Sequence, residues 1–176
     1  MIGDKRVLAV VPARGGSKGI PLKNLILVGG ISLIARVGRV IRDVVEIDRA
    51  VVSTDYEEIA IAAEQAGISA PFRRPGELSG DRIGDVDVLH HALLATEKLD
   101  GQRYDIILML QPTSPLREAV HVSACLKKLV DGDWDAVWTV SQTDSKSHPL
   151  KQLIIEADGG MDYYDPAGAE IVARQQ

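Results

Sequence analysis

The strongest chemical signal in the sequence lies near its N-terminus, in residues 7–24, VLAVVPARGGSKGIPLKN. An apolar run leads directly into a loop that contains three glycines and the cations Arg14, Lys18 and Lys23. Glycine lets a ligand approach the backbone closely, and backbone N–H groups together with cations suit phosphate oxygens. A strand that leads into such a loop is the usual start of a nucleotide site in an α/β domain. The segment therefore predicts a polyphosphate site, and the alternative is a flexible basic loop on the surface.

The spacing of this loop excludes two better-known phosphate loops. A Walker A loop requires a lysine followed by Ser or Thr after its last glycine, and a dinucleotide fingerprint requires the spacing G-x-G-x-x-G. Neither pattern is present in residues 7–24. The loop is therefore of a different type.

A second chemical segment, LQPTSPLR, occupies residues 110–117 after another apolar run. Its two prolines stiffen a turn, and Gln111 offers both a donor and acceptors at the predicted end of a strand. We favour a binding role for Gln111. For Thr113 and Ser114 we favour capping of the next helix, with Arg117 in solvent.

Strand and helix patterns alternate along the chain, which predicts a Rossmann-like α/β fold, a mostly parallel sheet with helices on both faces. Asp55 and Glu58 resemble a capping box, and Gly67 is a helix stop. The predicted strands are 7–11, 49–53, 68–73, 105–110 and 136–140, and the predicted helices are 32–43, 55–66, 85–98 and 118–130.

The texture of the sequence changes after Ser141, where residues 142–152 are polar and rich in turn formers. Residues 153–156 could pair with 161–163 as a hairpin. We therefore predict a nucleotide-binding α/β domain in residues 1–141 and a weakly formed C-terminal extension in residues 142–176. Ligands of open α/β sheets bind beyond the carboxyl ends of the strands. The loop after Val11, residues 53–55, residues 111–117 and residues 141–151 are expected to meet there.

Composition limits the partners and the location. The net charge of −5 argues against nonspecific binding of nucleic acid. No apolar run approaches the ~20 residues that span a bilayer, and residues 1–6 lack the apolar stretch of a secretory signal. One cysteine, Cys125, excludes an internal disulfide framework. These features predict a cytoplasmic protein without a membrane or nucleic-acid partner. The histidines and the alternating acids at 131–135 lack the spacing of zinc or calcium sites, so no metal ligands are predicted.

Together these segments resemble the acylneuraminate cytidylyltransferase (CMP-sialic acid synthetase) family. The first loop fills the pattern ARxxSKGxPxKN, and residues 73–81, 111–117, 147–151 and 174–176 resemble its RPxELAxD, QPTSPLR, HHPLK and RQQ segments. The resemblance implies a fold of the nucleotide-diphospho-sugar transferase type. It also implies a reaction in which CTP and a nonulosonic acid give a CMP-sugar and pyrophosphate.

The resemblance assigns roles to individual residues. Arg14 and Lys23 are implied as catalytic residues that stabilise charge on the triphosphate. The residues implied to bind CTP are Arg14, Ser17, Lys18, Asn24, Arg74 and Asp85. Arg74 matches the arginine that recognises the base, with an exposed arginine paired to Glu77 as the alternative. For Asp85, helix capping is an equal alternative. Gln111, Lys151 and Arg174 are implied at the sugar site, with a solvated loop lysine as the alternative for Lys151.

The chain departs from the family after residue 176, so the resemblance implies that residues 142–176 are the incomplete start of a sugar-binding and dimerisation extension. The family continues through a segment like LPxxYRxNGAIYI, which serves dimerisation, and ends with a D-x-D-like pair that binds magnesium. The Mg²⁺ that the resemblance implies therefore has no ligands in this sequence. The segment that serves dimerisation in the family is also missing from it, although the resemblance implies a homodimer. We expect CTP and an acidic sugar as partners. The alternatives are a 3-deoxy-manno-octulosonate cytidylyltransferase and a catalytically incomplete nucleotide-binding fragment.

Overall fold

The apolar run 7–11 forms the strand that its composition predicts, and this strand lies at the centre of a sheet. The computed structural model describes residues 1–140, 149–155, 157 and 159–170. It divides into two units, Met1–Val137 and Trp138–Gln176. The elements of the first unit are β1 (Val7–Pro12), β2 (Leu27–Val28), β3 (Ile31–Ser32), α1 (Leu33–Arg42), β4 (Arg49–Ser53), α2 (Glu57–Gln65), α3 (Asp85–Asp100), β5 (Ile106–Met109) and α4 (Ala119–Asp131).

The main sheet is parallel and has the order β4-β1-β5. Val10 of β1 lies opposite Val51 of β4 on one side and Met109 of β5 on the other. A small antiparallel pair, β2 with β3, precedes α1 and was not predicted. The parallel sheet itself confirms the predicted class.

Helices cover both faces of this sheet, because the side chains of β1 alternate between two apolar clusters. Val7, Ala9 and Val11 pack with residues of α1, α2 and α4. Leu8 and Val10 pack on the opposite face with Ala92 of α3. All five residues are fully buried, as expected for a strand covered on both faces. The predicted Rossmann-like fold is therefore confirmed.

The strand order creates a crevice at one edge of the sheet. The chain leaves β1 for β4 on one side and later crosses to β5 on the other side. Loops that follow two neighbouring strands then leave in different directions, and ligands bind in the gap beyond the carboxyl ends. Here the gap lies between the loop that follows Pro12 at the end of β1 and the loop that contains Gln111 after β5.

Two predicted strands are not formed. Residues 136–140 are not paired with any strand of the described residues, and Trp138 and Val140 are 84% and 89% exposed. Alternating apolar residues make a strand only where a neighbour satisfies their backbone groups. Residues 68–73 make a single bridge, between Ser69 and Val51. Pro71 cannot donate to a ladder, which prevents its extension.

Two predicted helix caps are also wrong. Helix α2 begins after Tyr56 without a side-chain cap, and the Asp55 carboxylate instead accepts from the N–H of Gly15 at 2.9 Å. Helix α4 begins after Glu118, whose N–H donates to His121 Nδ1 at 3.1 Å, so Thr113 and Ser114 do not cap it. The predicted stop at Gly67 is confirmed by its φ of 83°.

The second unit contains the predicted hairpin. Strands β6 (Leu153–Ile155) and β7 (Met161–Tyr163) are antiparallel, with Ile154 opposite Asp162. Short 3₁₀ turns at Pro149–Lys151 and Pro166–Glu170 accompany them. The functional roles predicted for the two parts of the chain stay predictions. No helix within the described ranges combines the length and apolar character needed to cross a bilayer.

Candidate nucleotide site

A cleft of about 680 Å³ opens at the carboxyl ends of β1 and β5. The predicted site residues that line it are Arg14, Ser17, Lys18, Lys23, Asn24, Arg74, Asp85 and Gln111. Lys151 belongs to a 3₁₀ turn of the second unit, whereas Arg174 lies outside the described residues. The predictions for these two residues are therefore not tested.

Asn24 closes the basic loop on itself. Its Nδ2 donates to the backbone oxygen of Arg14 at 3.1 Å, and the side chain is only 4% exposed. The adjacent Leu22 has a φ of 47°, a left-handed conformation that non-glycine residues seldom adopt. This bend begins the 3₁₀ turn Lys23–Leu25, which directs Lys23 and Asn24 into the cleft.

The three glycines of the loop differ in how closely other atoms surround them. A Cβ at Gly15 would stand 2.7 Å from Tyr56 Cδ2, so close packing of the loop on Tyr56 requires glycine there. A Cβ at Gly16 or Gly19 would meet nothing within 4 Å. Only these two positions therefore leave open space in which a ligand could approach the backbone.

Asp81 is the residue that the sequence did not indicate. Its carboxylate accepts from Arg14 Nη1 at 2.8 Å and pairs with the ammonium of Lys18. The hydrogen bonds from Lys18 and Arg14 hold the pKa of the Asp81 carboxyl below its usual value. Its only sequence signal is its position at the end of residues 73–81. In this structure, the Asp81 carboxylate thus neutralises Arg14 and Lys18, two of the cations that are predicted to bind phosphate.

Lys23 differs from these two cations. Its side chain is half-buried in the cleft and has no hydrogen-bond or ion-pair partner among the residues that the structure describes. Lys23 is therefore free to bind a phosphate oxygen.

Arg74 is buried rather than exposed, with 6% of its surface accessible. Its Nε donates to Ser53 Oγ at 3.1 Å, Nη2 donates to the backbone oxygen of Ser53, and Nη1 reaches Leu78 O at 3.5 Å. Burial lowers the pKa of the Arg74 guanidinium, and the nearby carboxylate of Asp55 opposes this effect. The alternative of an exposed arginine paired with Glu77 is wrong.

The neighbour of Arg74 takes the exposed position instead. Arg73 Nη2 pairs with Glu57 Oε2 at 2.8 Å. The two consecutive arginines therefore have separate surroundings, one in an ion pair at the surface and one anchored at the end of β4. Arg74 alone lines the cleft.

Gln111 and Asp85 meet in the cleft. Gln111 Nε2 lies 3.4 Å from Asp85 Oδ2, and the backbone oxygen of Gln111 accepts from Arg117 Nη1 at 3.1 Å. Asp85 is the first residue of α3, follows the N-cap Gly84 and therefore is not the cap itself. Arg117 is half-buried, so its predicted solvation is wrong. Both side chains of the Gln111–Asp85 pair have polar atoms available to a ligand.

The described residues do not supply a magnesium site of their own. No group of three or more His, Cys, Asp or Glu side chains within them could hold a metal ion. Asp81 and Asp85 are the carboxylates that line the cleft, and Asp81 is bound to cations. Mg²⁺ is usually held by one or two carboxylates together with substrate phosphates and waters, so the described residues alone do not form a complete set of its ligands.

A parallel α/β sheet with a basic glycine-containing loop after its central strand is the architecture of nucleotide-binding domains. Comparison with known proteins specifies the class. The sequence model described as cytidylyltransferase matches residues 8–174, so this chain belongs to the cytidylyltransferase family.

Curated relatives include the N-acylneuraminate cytidylyltransferase of Oncorhynchus mykiss, which is 33% identical over 139 residues. The CMP-N,N'-diacetyllegionaminic acid synthase of Legionella pneumophila is 39% identical over 113 residues. The alignments cover 78% and 64% of this chain but 31% and 48% of the relatives. The chain thus spans less than half the length of these relatives.

Solved structures show the same fold. CMP:2-keto-3-deoxy-manno-octonic acid synthetase, solved with CTP, aligns with a TM-score of 0.57 at 24% identity, over 73% of this chain and 48% of that one. 4-Diphosphocytidyl-2C-methyl-D-erythritol synthase aligns with a TM-score of 0.56 at 11% identity, over 81% and 65%. These likenesses support the fold class that the alternation of elements predicts.

Proposed function

We propose that this chain is the nucleotide-binding part of a cytidylyltransferase that activates a nonulosonic acid with CTP. The main support for this proposal is one cleft at the carboxyl end of β1, which is lined by Arg14, Lys18, Lys23 and Arg74. The protein as a whole has a net charge of −5, so this local excess of cations suits a small polyanion. CTP is such a ligand, and family membership supports the choice of cytosine.

In the proposed reaction, the anomeric hydroxyl oxygen of the sugar acid attacks the α-phosphorus of CTP. The bond from that phosphorus to the bridging oxygen breaks, pyrophosphate leaves, and the hydroxyl proton passes to solvent or a base. Transfer of this kind depends mainly on positioning and on neutralisation of charge. Arg14 and Lys23 would stabilise charge on the triphosphate, while Ser17 and Lys18 would hold it.

Binding of the triphosphate requires a local exchange of anions. Arg14 and Lys18 are paired with Asp81, whereas Lys23 has no such partner among the described residues. We propose that phosphate oxygens reach Lys23 first and then replace the Asp81 carboxylate on the other two cations. Asn24 would keep the loop closed through its bond to Arg14 O and orient the ribose or a phosphate.

Different residues of the cleft would contact the base and the sugar. Arg74 uses three of its N–H groups on Ser53 and Leu78. A guanidinium has five such donors, so two are left for O2 and N3 of cytosine. Asp85 could accept from the cytosine amino group. Gln111 would contact the sugar, and Lys151 and Arg174 are proposed to pair with its carboxylate.

Magnesium, a cytoplasmic location and a homodimer are further parts of the proposal. Mg²⁺ would neutralise phosphate charge, but the described residues offer no set of ligands for it, so no step is assigned to it. The single cysteine agrees with a reducing compartment. The dependence of turnover on Mg²⁺ tests the role of the metal, and the molecular mass in solution tests the homodimer.

The direct test is formation of a CMP-sugar from CTP and a panel of sialic, legionaminic, pseudaminic and 3-deoxy-manno-octulosonic acids, followed by chromatography. We expect CTP binding and a preference for a sialic-type acid. Product from the octulosonic acid alone would favour the alternative substrate. Binding without any product would identify a nucleotide-binding fragment, and absence of CTP binding would overturn the proposal.

A further inference from the structure

A second, smaller pocket of about 170 Å³ lies between α1 and the segment 114–117. Three arginines line it: Arg36 and Arg39 from α1, and Arg117 from the loop before α4. The remaining lining residues are Val37, Val40, Ser114 and Pro115. Within the part of the chain that the structure describes, no carboxylate lines this pocket, although the protein as a whole is acidic.

The charges of the three arginines are not compensated. None of them forms an ion pair within the part of the chain that the structure describes. The side chain of Arg39 is exposed and makes no hydrogen bond to a described residue. Three arginines therefore line one small pocket without an acidic partner among the described residues, and an anion bound there would supply a shared counter-ion.

Two of the arginines are held in place by neutral acceptors. Arg36 Nε donates to Val28 O at 3.1 Å, and its Nη2 donates to the same oxygen. Arg117 Nη1 donates to Gln111 O at 3.1 Å. Each guanidinium has five N–H donors, so both retain donors for a ligand. These backbone contacts fix the two arginines before a ligand binds.

Arg117 is half-buried and has no acidic partner among the described residues. Burial lowers the pKa of its guanidinium, and no acidic neighbour opposes this effect. A partly desolvated cation without an anionic partner is costly. The carbonyl of Gln111 offsets only part of that cost, because it is neutral.

We propose that this pocket binds a small tetrahedral oxyanion, namely a phosphate group that is either free or at the end of a small ester. Guanidinium groups match phosphate oxygens through parallel hydrogen bonds, and the Ser114 hydroxyl adds a further donor. The volume of about 170 Å³ is below the roughly 300–1,000 Å³ of sites for larger ligands. A whole nucleotide is therefore excluded.

The pocket is connected to the nucleotide cleft by one loop. Gln111, Pro112 and Thr113 line the cleft, whereas Ser114, Pro115 and Arg117 line the arginine pocket. An anion bound by Arg117 would therefore lie beside the loop that carries Gln111.

The test is a titration of the isotope-labelled chain with inorganic phosphate, followed by backbone amide NMR at constant ionic strength. We expect saturable shifts at residues 36–40 and 114–117. Arg39→Ala should lower phosphate affinity by about tenfold or more, as for loss of a charged hydrogen bond. Arg42→Ala is the matched control on the same helix, because Arg42 faces Asp43 and does not line the pocket.

Two further arms make the result decisive. Lys23→Ala should leave the shifts at 36–40 unchanged, because it affects only phosphate bound in the cleft. Acetate should bind more weakly than phosphate, and glycerol phosphate should bind about as well if esters are accepted. Shifts confined to the glycine loop, shifts that do not saturate, equal binding of acetate, or no effect of Arg39→Ala would each overturn the proposal.

Discussion

The cations of the cleft differ in whether they already have a partner within the protein. Asp81 holds Arg14 and Lys18 in ion pairs before any nucleotide arrives, whereas Lys23 has no partner among the described residues. The cations that the sequence groups together therefore differ in what they lose and gain on binding. Substitutions at these positions should separate nucleotide affinity from stability.

Replacement of Asp81 should strengthen CTP binding. Asp81→Asn removes a competing carboxylate but keeps its shape, so we expect affinity to rise about two- to fivefold, because exposed ion pairs are weak. Calorimetry with CTP measures the change, and Asp87→Asn is a control because Asp87 is acidic but does not line the cleft. Weaker binding by Asp81→Asn would mean that Asp81 contacts the nucleotide or its metal.

Lys23→Ala should weaken CTP binding without loss of folding stability. The lost charge-assisted contact is worth about 1.5–3 kcal/mol, and within the described residues the Lys23 side chain makes no hydrogen bond or ion pair that the variant would lose. Arg14→Ala should weaken binding similarly but also remove the ion pair with Asp81. Calorimetry and urea unfolding distinguish these effects, with Arg42→Ala as the control. Unchanged CTP affinity in both variants would reject the phosphate role.

Arg74→Ala should reduce discrimination between CTP and UTP more than it reduces triphosphate affinity overall. Cytosine offers acceptors at O2 and N3. We propose that the two N–H groups of Arg74 that bond neither Ser53 nor Leu78 donate to these atoms. Because Arg74 also anchors Ser53, thermal unfolding must accompany the binding curves. Arg73→Ala is the matched control, since its guanidinium pairs with Glu57 instead. An equal loss for both nucleotides would indicate a purely structural role.

The sequence identified the cations of the site better than their partners. Arg14, Lys18 and Lys23 share one loop, so local spacing reveals them. Asp81 was missed because its partner Arg14 is 67 residues away. Asp55 was predicted as a cap, yet its carboxylate binds Gly15 N across 40 residues. Tertiary contacts that compete with local ones cannot be inferred from local patterns.

At the scale of elements, apolar periodicity located β1, β4, β5 and the four helices because each buries a continuous face. It failed at 136–140, which has the pattern of a strand but no neighbour among the described strands. It also could not show the close crossing of α1 and α2 at Gly38. A Cβ there would lie 2.3 Å from Ala66 O.

Gly38→Ala should therefore destabilise the protein. In an open helix, this change would stabilise by about 1 kcal/mol, but overpacking against a backbone carbonyl typically costs about 1–3 kcal/mol. Urea unfolding measures the change, with Gly76→Ala as the control because a Cβ there meets nothing within 4 Å. A Gly38→Ala variant as stable as the parent would mean that α1 and α2 can move apart.

At the scale of the whole molecule, the net charge of −5 contrasts with the basic cleft. Such a local field attracts an anionic ligand, and salt screens it. We expect the association rate of CTP to fall steeply as NaCl is raised, while binding of uncharged cytidine changes little. Stopped-flow measurements of both ligands test this expectation. A flat salt profile for CTP would show that the cleft cations do not face the phosphates.

The central position of β1 also has a consequence for synthesis of the chain. Val7 pairs with Ile106, and the N–H of Arg6 donates to Asp105 across 99 residues. Pairings so distant in sequence form slowly, because a long loop must close first. On the ribosome, one edge of β1 stays unpaired until β5 has emerged, and an open edge invites pairing with other chains. The strand that carries the glycine loop should accordingly be the part of the nascent protein most dependent on chaperones.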